Sequence, residues 1–148
     1  MNDKPIYLLL ADDDKDDCEL FKDALAELME LTVLKMVHDG EQLMHLLKEK
    51  TANFPNVLFL DLNMPRKNGF ECLAEIRVTE ALKNLPVIIF STSFDTDMVR
   101  ELYNTGAQYY IRKPNDFSVL KRIIHDALSF TADTNVIQPS FENFVLQP

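Results

Sequence analysis

Short apolar runs alternate with longer amphipathic stretches along most of the chain. Each of the five runs ends in polar or turn-forming residues. A short apolar run closed in this way is typical of a strand buried on both faces of a parallel sheet. The predicted strands lie at residues 6–10, 33–37, 57–60, 87–90 and 108–111.

Helical periodicity follows each predicted strand, with apolar residues three and four positions apart on one face. Asp39 with Gln42 and Asn68 with Glu71 have the spacing of a capping box at a helix N-terminus. Gly106 is a natural C-terminal stop for the fourth helix. Strands that alternate with helices predict an α/β fold, a parallel sheet covered by helices on both faces.

The last part of the chain breaks this alternation. Pro139 and Pro148 exclude a helix through the whole segment 132–148. The segment is nevertheless too apolar for a simple disordered end. We therefore predict one domain at residues 1–131 and a C-terminal tail at 132–148 that docks on the domain or on a neighbouring molecule. The apolar tail residues are Val136, Ile137, Phe141, Phe144, Val145 and Leu146.

Composition and charge narrow the classes of function. A length of 148 residues is enough for one domain with a substantial core. The net charge of −9 argues against direct nucleic-acid binding, which needs a basic surface, and favours cations and basic partners. No apolar run approaches the roughly 20 residues of a membrane helix. With no signal peptide and two cysteines, Cys18 and Cys72, that lack metal-type spacing, we expect a cytoplasmic protein with buried free thiols.

Polar residues follow four of the five predicted strands. They are the pair Asp12 and Asp13, then Asp61, Ser91 and Lys113. Each residue alone has an ordinary explanation as a helix cap, a loop residue or a surface charge. Parallel strands, however, bring all these positions to one edge of the sheet, where open α/β folds bind ligands.

Three carboxylates held close together need a proton or a cation. Hard oxygen ligands without histidine or cysteine select Mg²⁺ over zinc. Beside such an ion, a carboxylate oxygen can attack phosphorus and form an acyl phosphate. Lys113 would supply positive charge to the phosphoryl oxygens, and Ser91 a hydroxyl donor.

This combination resembles the receiver domain of two-component response regulators. The similar features are the acidic pair, the motif D-x-N-M-P-x-x-x-G from Asp61 to Gly69, the hydroxyl after the fourth strand and the sequence K-P after the fifth. The resemblance covers about residues 5–130. The resemblance implies a flavodoxin-like (βα)5 fold, doubly wound, with a five-stranded sheet in the order 2-1-3-4-5 and the tail as a C-terminal extension. It also implies phosphate transfer from a histidine kinase or a histidine phosphotransfer protein.

The resemblance assigns the metal ligands by position. Asp61 would be the phosphoacceptor. Asp13 and Asp61 would bind Mg²⁺ directly together with the backbone carbonyl of Asn63, while Asp12 would act through a metal-bound water.

The resemblance also assigns the switch residues. Ser91 would be the switch hydroxyl, Tyr110 the aromatic residue that changes rotamer, and Lys113 the lysine that pairs with the phosphoryl group. The Lys113–Pro114 peptide would be cis, which is physically plausible only because the second residue is proline.

The predicted function is a stand-alone receiver, a phosphorylation-controlled switch with weak self-phosphorylation and self-dephosphorylation rather than an enzyme. Its partners would be the phosphodonor and a downstream effector protein or a second copy of itself, with no membrane and no nucleic acid. Two alternatives remain: a phosphatase of the haloacid-dehalogenase type, which also uses an aspartate nucleophile, and an interaction module that never accepts phosphate. Further acidic residues of the first helix, Asp14, Asp16 and Asp17, are explained by the helix dipole without metal binding.

Overall fold

The computed structural model describes residues 4–28, 31–49, 54–131 and 138–146. These residues form alternating strands and helices, as the sequence predicts. The strands are β1 (Ile6–Ala11), β2 (Thr32–Val37), β3 (Val57–Leu60), β4 (Val87–Ser91), β5 (Tyr109–Arg112) and β6 (Val145–Leu146). The helices are α1 (Lys15–Glu27), α2 (Gly40–Lys48), α3 (Gly69–Val78), α4 (Thr96–Thr105) and α5 (Phe117–Thr131), and a short 3-10 turn spans Phe141–Asn143.

All the strands pair in parallel, in the order β2-β1-β3-β4-β5-β6. The predicted order 2-1-3-4-5 is therefore confirmed, and one short additional strand extends the sheet beyond β5. The additional strand comes from the C-terminal extension and pairs with β5, where the backbone N–H of Tyr110 donates to the carbonyl of Phe144 at 3.0 Å. An edge strand presents unpaired backbone groups, and β6 satisfies part of those of β5.

Two apolar cores lie on opposite faces of the sheet, which confirms the doubly wound architecture. Residues of α1 and α5 form one core with β-strand side chains such as Phe59. Residues of α2, α3 and α4 form the other core, which also includes Tyr110 and Phe144. Because β3 is buried at all four of its positions, both cores meet on this strand.

The C-terminal residues 138–146 pack on α4 and β5. Phe144 is fully buried, and its ring centroid lies 5.1 Å from that of Tyr103. The hydroxyl of Tyr103 donates to the Pro139 carbonyl at 2.7 Å, and the Arg100 guanidinium lies 4.1 Å above the Phe141 ring. Residues 132–137, which directly follow the predicted boundary and include Val136 and Ile137, lie outside the described part of the chain. The division into 1–131 and 132–148 therefore stays a prediction.

Both cysteines are free thiols buried in the cores, and burial raises the pKa of Cys18 and Cys72 to about 11. A thiol with a raised pKa carries little thiolate and is chemically quiet. In the described residues, no helix is both long and apolar enough to span a membrane.

Candidate functional site

Strand register brings the predicted site residues together at the carboxyl edge of the sheet. Ala11 of β1 is the register partner of Leu60 of β3, so Asp12 and Asp61 leave adjacent strands side by side. In the same way, Ser91 of β4 pairs with Arg112 of β5, directly before Lys113. The predicted convergence of distant strand ends is therefore present in the structure.

Asp61 is fixed by its own backbone and by the residue that follows. Its N–H donates to the Ala11 carbonyl at 2.9 Å, and its Oδ1 accepts the Leu62 N–H at 2.8 Å. The residue is 6% exposed, so it is nearly buried although it lies at the carboxyl edge of the sheet. Asp61 Oδ2 faces the ammonium of Lys113 at 3.4 Å.

The loop after Asp61 returns close to the strand before α3 begins. The N–H of Gly69 donates to the Leu62 carbonyl at 2.9 Å, and a Cβ at this position would lie only 2.3 Å from the Asp61 carbonyl oxygen. Only glycine permits this approach, since no real Cβ contact is so short. Asn68 and Glu71 then form the complete capping box that the sequence predicts.

Asp12 is fully buried at the end of β1. Its Oδ1 accepts the Asp14 N–H at 3.0 Å, and its backbone carbonyl lies 3.0 Å from His38 Nδ1. The Cys18 thiol donates to the same carbonyl at 3.5 Å. Nothing in the sequence pattern indicated that His38 lies behind the acidic pair, because its role depends on the pairing of β1 with β2.

The residues present fit a divalent cation. One carboxylate oxygen from each of Asp12, Asp13 and Asp61 lies within 4.8 Å of the others. Burial raises the pKa of Asp12 to about 6, which expresses the cost of a buried negative charge. Asp12 Oδ2 is buried without a well-aligned hydrogen bond, although the Lys113 ammonium lies 2.8 Å away. Three clustered hard oxygen donors are the ligand set that Mg²⁺ and Mn²⁺ prefer.

Among the described residues, Lys113 is the lysine whose ammonium contacts this acidic group. Its Nζ lies 2.8 Å from Asp12 Oδ2 and 2.7 Å from Asp17 Oδ2, and its side chain is only 9% exposed. Burial works to lower the pKa of Lys113, but the neighbouring carboxylates of Asp12, Asp17 and Asp61 raise it above the ordinary value. The lysine is therefore firmly charged.

Asp17 is a site residue that sequence reasoning missed. The helix dipole alone explained an acidic residue in the first turn of α1, and Asp17 and Lys113 are 96 positions apart in the chain. No local spacing rule links residues at that separation. The contact depends on the folded sheet, which brings the start of α1 close to the end of β5.

Ser91 and Tyr110 lie beside the acidic group, both fully buried. Ser91 Oγ accepts the Ser93 N–H at 3.2 Å, and the Tyr110 hydroxyl donates to the Ser93 carbonyl. Burial raises the pKa of Tyr110 to about 12, so its hydroxyl stays protonated. Phe94 packs edge-on against the Tyr110 ring with centroids 5.9 Å apart. The two predicted switch residues thus meet through the β4–α4 loop.

Asn63 lies at the same edge, with an exposed side chain whose amide donates to Ser93 Oγ at 3.2 Å. This contact joins the β3–α3 loop to the β4–α4 loop. The assignment of its backbone carbonyl as a metal ligand stays a prediction.

The expectation of a cis Lys113–Pro114 peptide is wrong. No cis peptide bond occurs between described residues, which include both partners of this bond. A proline removes most of the penalty against cis, but trans remains the lower-energy form by about 0.5–1 kcal/mol. Lys113 reaches the carboxylates from the trans form.

Comparison with known proteins agrees with the geometry. Residues 8–125 match the response regulator receiver domain family. Response regulator Rcp1 of Synechocystis sp. is 31% identical over 134 residues, which cover 88% of this chain and 91% of that protein.

Two solved structures are similar over nearly the same range. The phosphorylated cyanobacterial phytochrome response regulator RcpA has a TM-score of 0.80 and 33% identity, covering 93% of this chain and 100% of that one. The Mn²⁺-bound form of Rcp1 has a TM-score of 0.77 and 31% identity, covering 92% of this chain and 100% of that one. The family match and the acidic cluster together favour a receiver over a haloacid-dehalogenase phosphatase. The chain belongs to the response regulator receiver family, as a phosphorylatable signalling protein with a divalent-metal site at Asp12, Asp13 and Asp61.

Proposed function

We propose that Asp61 is the phosphoacceptor of this receiver. The supporting observation is the arrangement around its carboxylate, with Asp12 and Asp13 within metal-sharing distance and Lys113 Nζ at 3.4 Å from Oδ2. Asp61 directly follows β3 and begins the β3–α3 loop. The Asn63–Ser93 hydrogen bond joins this loop to the β4–α4 loop. An incoming phosphoryl group therefore meets a nucleophile and a cation at the same edge.

The proposed reaction is a single phosphoryl transfer. A carboxylate oxygen of Asp61 attacks phosphorus, and the bond from phosphorus to the donor breaks with its electron pair going to the donor group. Asp13, Asp61 and the backbone carbonyl of Asn63 would hold Mg²⁺ directly, and Asp12 would hold it through a bound water. The ion would neutralise charge on the transferring group. Lys113 pairs with one phosphoryl oxygen, and Ser91 donates its hydroxyl to another.

The proposed phosphodonor is a histidine kinase or a histidine phosphotransfer protein acting in the cytoplasm. The similarity to RcpA, which is described as a phytochrome response regulator in its phosphorylated form, makes a phytochrome-type sensor kinase the first donor to test. A kinase would deliver the phosphoryl group from a histidine nitrogen, and hydrolysis would later remove it from Asp61. The rate of this hydrolysis would set the duration of the signal.

The proposed output is a change of the surface formed by α4, β5 and α5. A hydroxyl donor at Ser91 would be drawn to the phosphoryl group, and its neighbour Ser93 holds the Tyr110 hydroxyl. Movement of this loop therefore changes the packing of Tyr110 and of Phe94, which is 46% exposed. Because one state makes better contacts than the other, phosphorylation shifts the population between them. The altered surface would bind an effector or a second copy of the chain.

Intact-mass measurement after incubation with acetyl phosphate tests this function. We expect the wild-type chain to gain one phosphoryl group in the presence of Mg²⁺ and to gain none when EDTA is present from the start. Asp61→Asn should stay unmodified, whereas Asp16→Asn, an exposed neighbour in α1, should behave as wild type. Phosphorylation of Asp61→Asn would contradict the assignment. A wild-type chain that never gains mass with acetyl phosphate or with a kinase panel would favour a non-phosphorylated interaction module.

A further inference from the structure

Lys113 already has two close carboxylate partners before any phosphate arrives. Asp17 Oδ2 and Asp12 Oδ2 lie 2.7 and 2.8 Å from its Nζ, whereas Asp61 Oδ2 is 3.4 Å away. The contact with Asp17 is a charge-assisted hydrogen bond, whereas the contact with Asp12 is an ion pair. The shortest of the three contacts is thus with a residue outside the acidic cluster of Asp12, Asp13 and Asp61.

Asp17 is held in place to make this contact. It lies in the first turn of α1, where its backbone N–H donates to Oδ1 of the N-cap residue Asp14 at 3.0 Å. Its side chain is 29% exposed, and the lysine that it meets is 9% exposed. Pairs between fully exposed side chains contribute little because water screens them. This pair lies between a fixed helix turn and a nearly buried ammonium, so it should contribute more.

Asp17 differs in this respect from its neighbour. Asp16 occupies the same first turn and has the same favourable position relative to the helix dipole. Its side chain is exposed, whereas that of Asp17 reaches the site. A general preference for acidic residues at a helix start explains both residues equally, but it does not explain the contact with Lys113.

We propose that Asp17 is a positioning residue that competes with the phosphoryl group of Asp61 for Lys113. The proposal rests on the proposed function, because it takes Asp61 as the phosphoacceptor. In the unphosphorylated chain, Asp17 and Asp12 share the ammonium. When Asp61 carries a phosphoryl group, the new oxygens need the same cation, and Lys113 must move towards them and away from Asp17.

Asp17 is the partner that is given up, since Asp12 belongs to the carboxylate cluster beside Asp61. Loss of the Asp17 contact therefore offsets part of the favourable free energy that Lys113 gains by pairing with the phosphoryl group. Asp17 therefore lowers the affinity of the site for a phosphoryl group and favours the resting state. Its removal should leave Lys113 free to pair with the phosphoryl oxygens.

The test compares Asp17→Asn with Asp16→Asn in the full chain. Both variants remove one negative charge from the same helix turn, so general electrostatic effects are matched. Beryllium trifluoride serves as the phosphoryl mimic and is titrated at saturating Mg²⁺ by isothermal calorimetry, after Mg²⁺ affinity has been measured separately for each variant. The position of Lys113 is followed by the NMR signal of its Cε–H groups, which a merely structural effect on the helix would not move.

We expect Asp17→Asn to bind the mimic about three- to tenfold more tightly than wild type, a change on the order of 1 kcal/mol at 1.4 kcal/mol per tenfold. Asp16→Asn should stay close to wild type. The difference between the two variants should persist at about 0.5 M salt. At about this ionic strength, salt screens charges that lie more than about 3–5 Å apart, but it does not screen direct contacts. The Lys113 signal should shift in Asp17→Asn without the mimic and should converge with the wild-type signal when the mimic is bound.

The outcomes separate this inference from the proposed function. If wild type binds the mimic and Asp17→Asn binds it equally or more weakly, the competition is refuted while the receiver function stands. If both aspartate variants tighten binding to the same degree, the effect is general charge and Asp17 has no special role. If wild type itself does not bind the mimic with Mg²⁺, the proposed function fails first.

Discussion

At the scale of single residues, the position of Asp61 depends on how closely α3 approaches the end of β3. Gly69 makes this approach possible, because a Cβ there would lie 2.3 Å from the Asp61 carbonyl oxygen and 2.8 Å from the Leu62 Cα. Both contacts are with backbone atoms, which cannot move aside as the end of a long side chain can. Any larger residue must therefore push the helix away from the loop that carries the phosphoacceptor.

Gly69→Ala should lower the free energy of unfolding by about 1–3 kcal/mol, the usual cost of overpacking. It should also reduce phosphorylation by acetyl phosphate, because the displaced backbone belongs to Asp61 itself. Urea denaturation and intact mass measure the two effects.

The matched control for Gly69→Ala is Gly106→Ala. Gly106 has a φ of 111°, so a side chain there is strained, but the residue ends α4 rather than contacting Asp61. We expect the control to lose stability, about 1 kcal/mol for a left-handed residue, and to keep its phosphorylation. Equal phosphorylation of Gly69→Ala and wild type would show that the close approach does not position the acceptor.

Residues that end a strand were predictable from the sequence, since burial and chain direction alone place them. Asp12, Asp61 and Lys113 follow apolar runs, and parallel strands bring such positions to one edge. Asp17 was not predictable, because its partner lies across the sheet and its own position already had a sufficient local explanation. Pairing between elements far apart in the chain is a property of the assembled fold.

At the scale of elements, the helix starts follow local chemistry that the sequence shows directly. Asn68 and Glu71 form both bonds of a capping box. Asp39 also caps its helix by accepting the Gln42 N–H at 2.8 Å, but the Gln42 side chain accepts from the N–H of His38 instead of Asp39. Spacing thus predicted the cap in both cases, while the return bond depended on the direction of the entering chain.

Asn68→Ala should lower the free energy of unfolding by about 1 kcal/mol, because the N–H of Glu71 loses its acceptor. Chemical denaturation measures the change. Asn104→Ala is the control, an exposed asparagine within α4 where alanine is the better helix former. Its stability should stay level or rise slightly. An unchanged stability of Asn68→Ala would mean that water replaces the cap without cost.

At the scale of the whole molecule, the C-terminal segment completes one of the two cores. The sequence indicated an apolar tail, but it could not give the partner of that tail. The parallel pairing of β6 with β5 and the burial of Phe144 are set by the edge of a sheet formed earlier in the chain. The Gln138 amide adds bonds of 2.7 Å to the carbonyls of Tyr103 and Ala107. The same segment is bonded to Tyr110, the residue proposed to switch, because the Tyr110 N–H donates to the Phe144 carbonyl.

Phe144→Ala tests whether this segment contributes to the fold or only lies on it. A fully buried phenylalanine in a shared core should cost about 3–5 kcal/mol when truncated, through lost burial and the cavity left behind. Phe130→Ala is the matched control, because Phe130 is 50% exposed and touches the Tyr109 ring from outside. Its loss should be about 1 kcal/mol or less, since only part of the side chain is removed from water.

Urea unfolding of both variants and of a chain ending at residue 131 gives the comparison. If the segment is part of the fold, the shortened chain should lose at least as much stability as Phe144→Ala, and the slope of the transition should fall because less surface is exposed on unfolding. If the shortened chain is as stable as the full one, residues 138–146 do not stabilise the domain. The segment would then be free to leave the face of α4 and β5 at little cost, and that face would be open to a partner in the resting state.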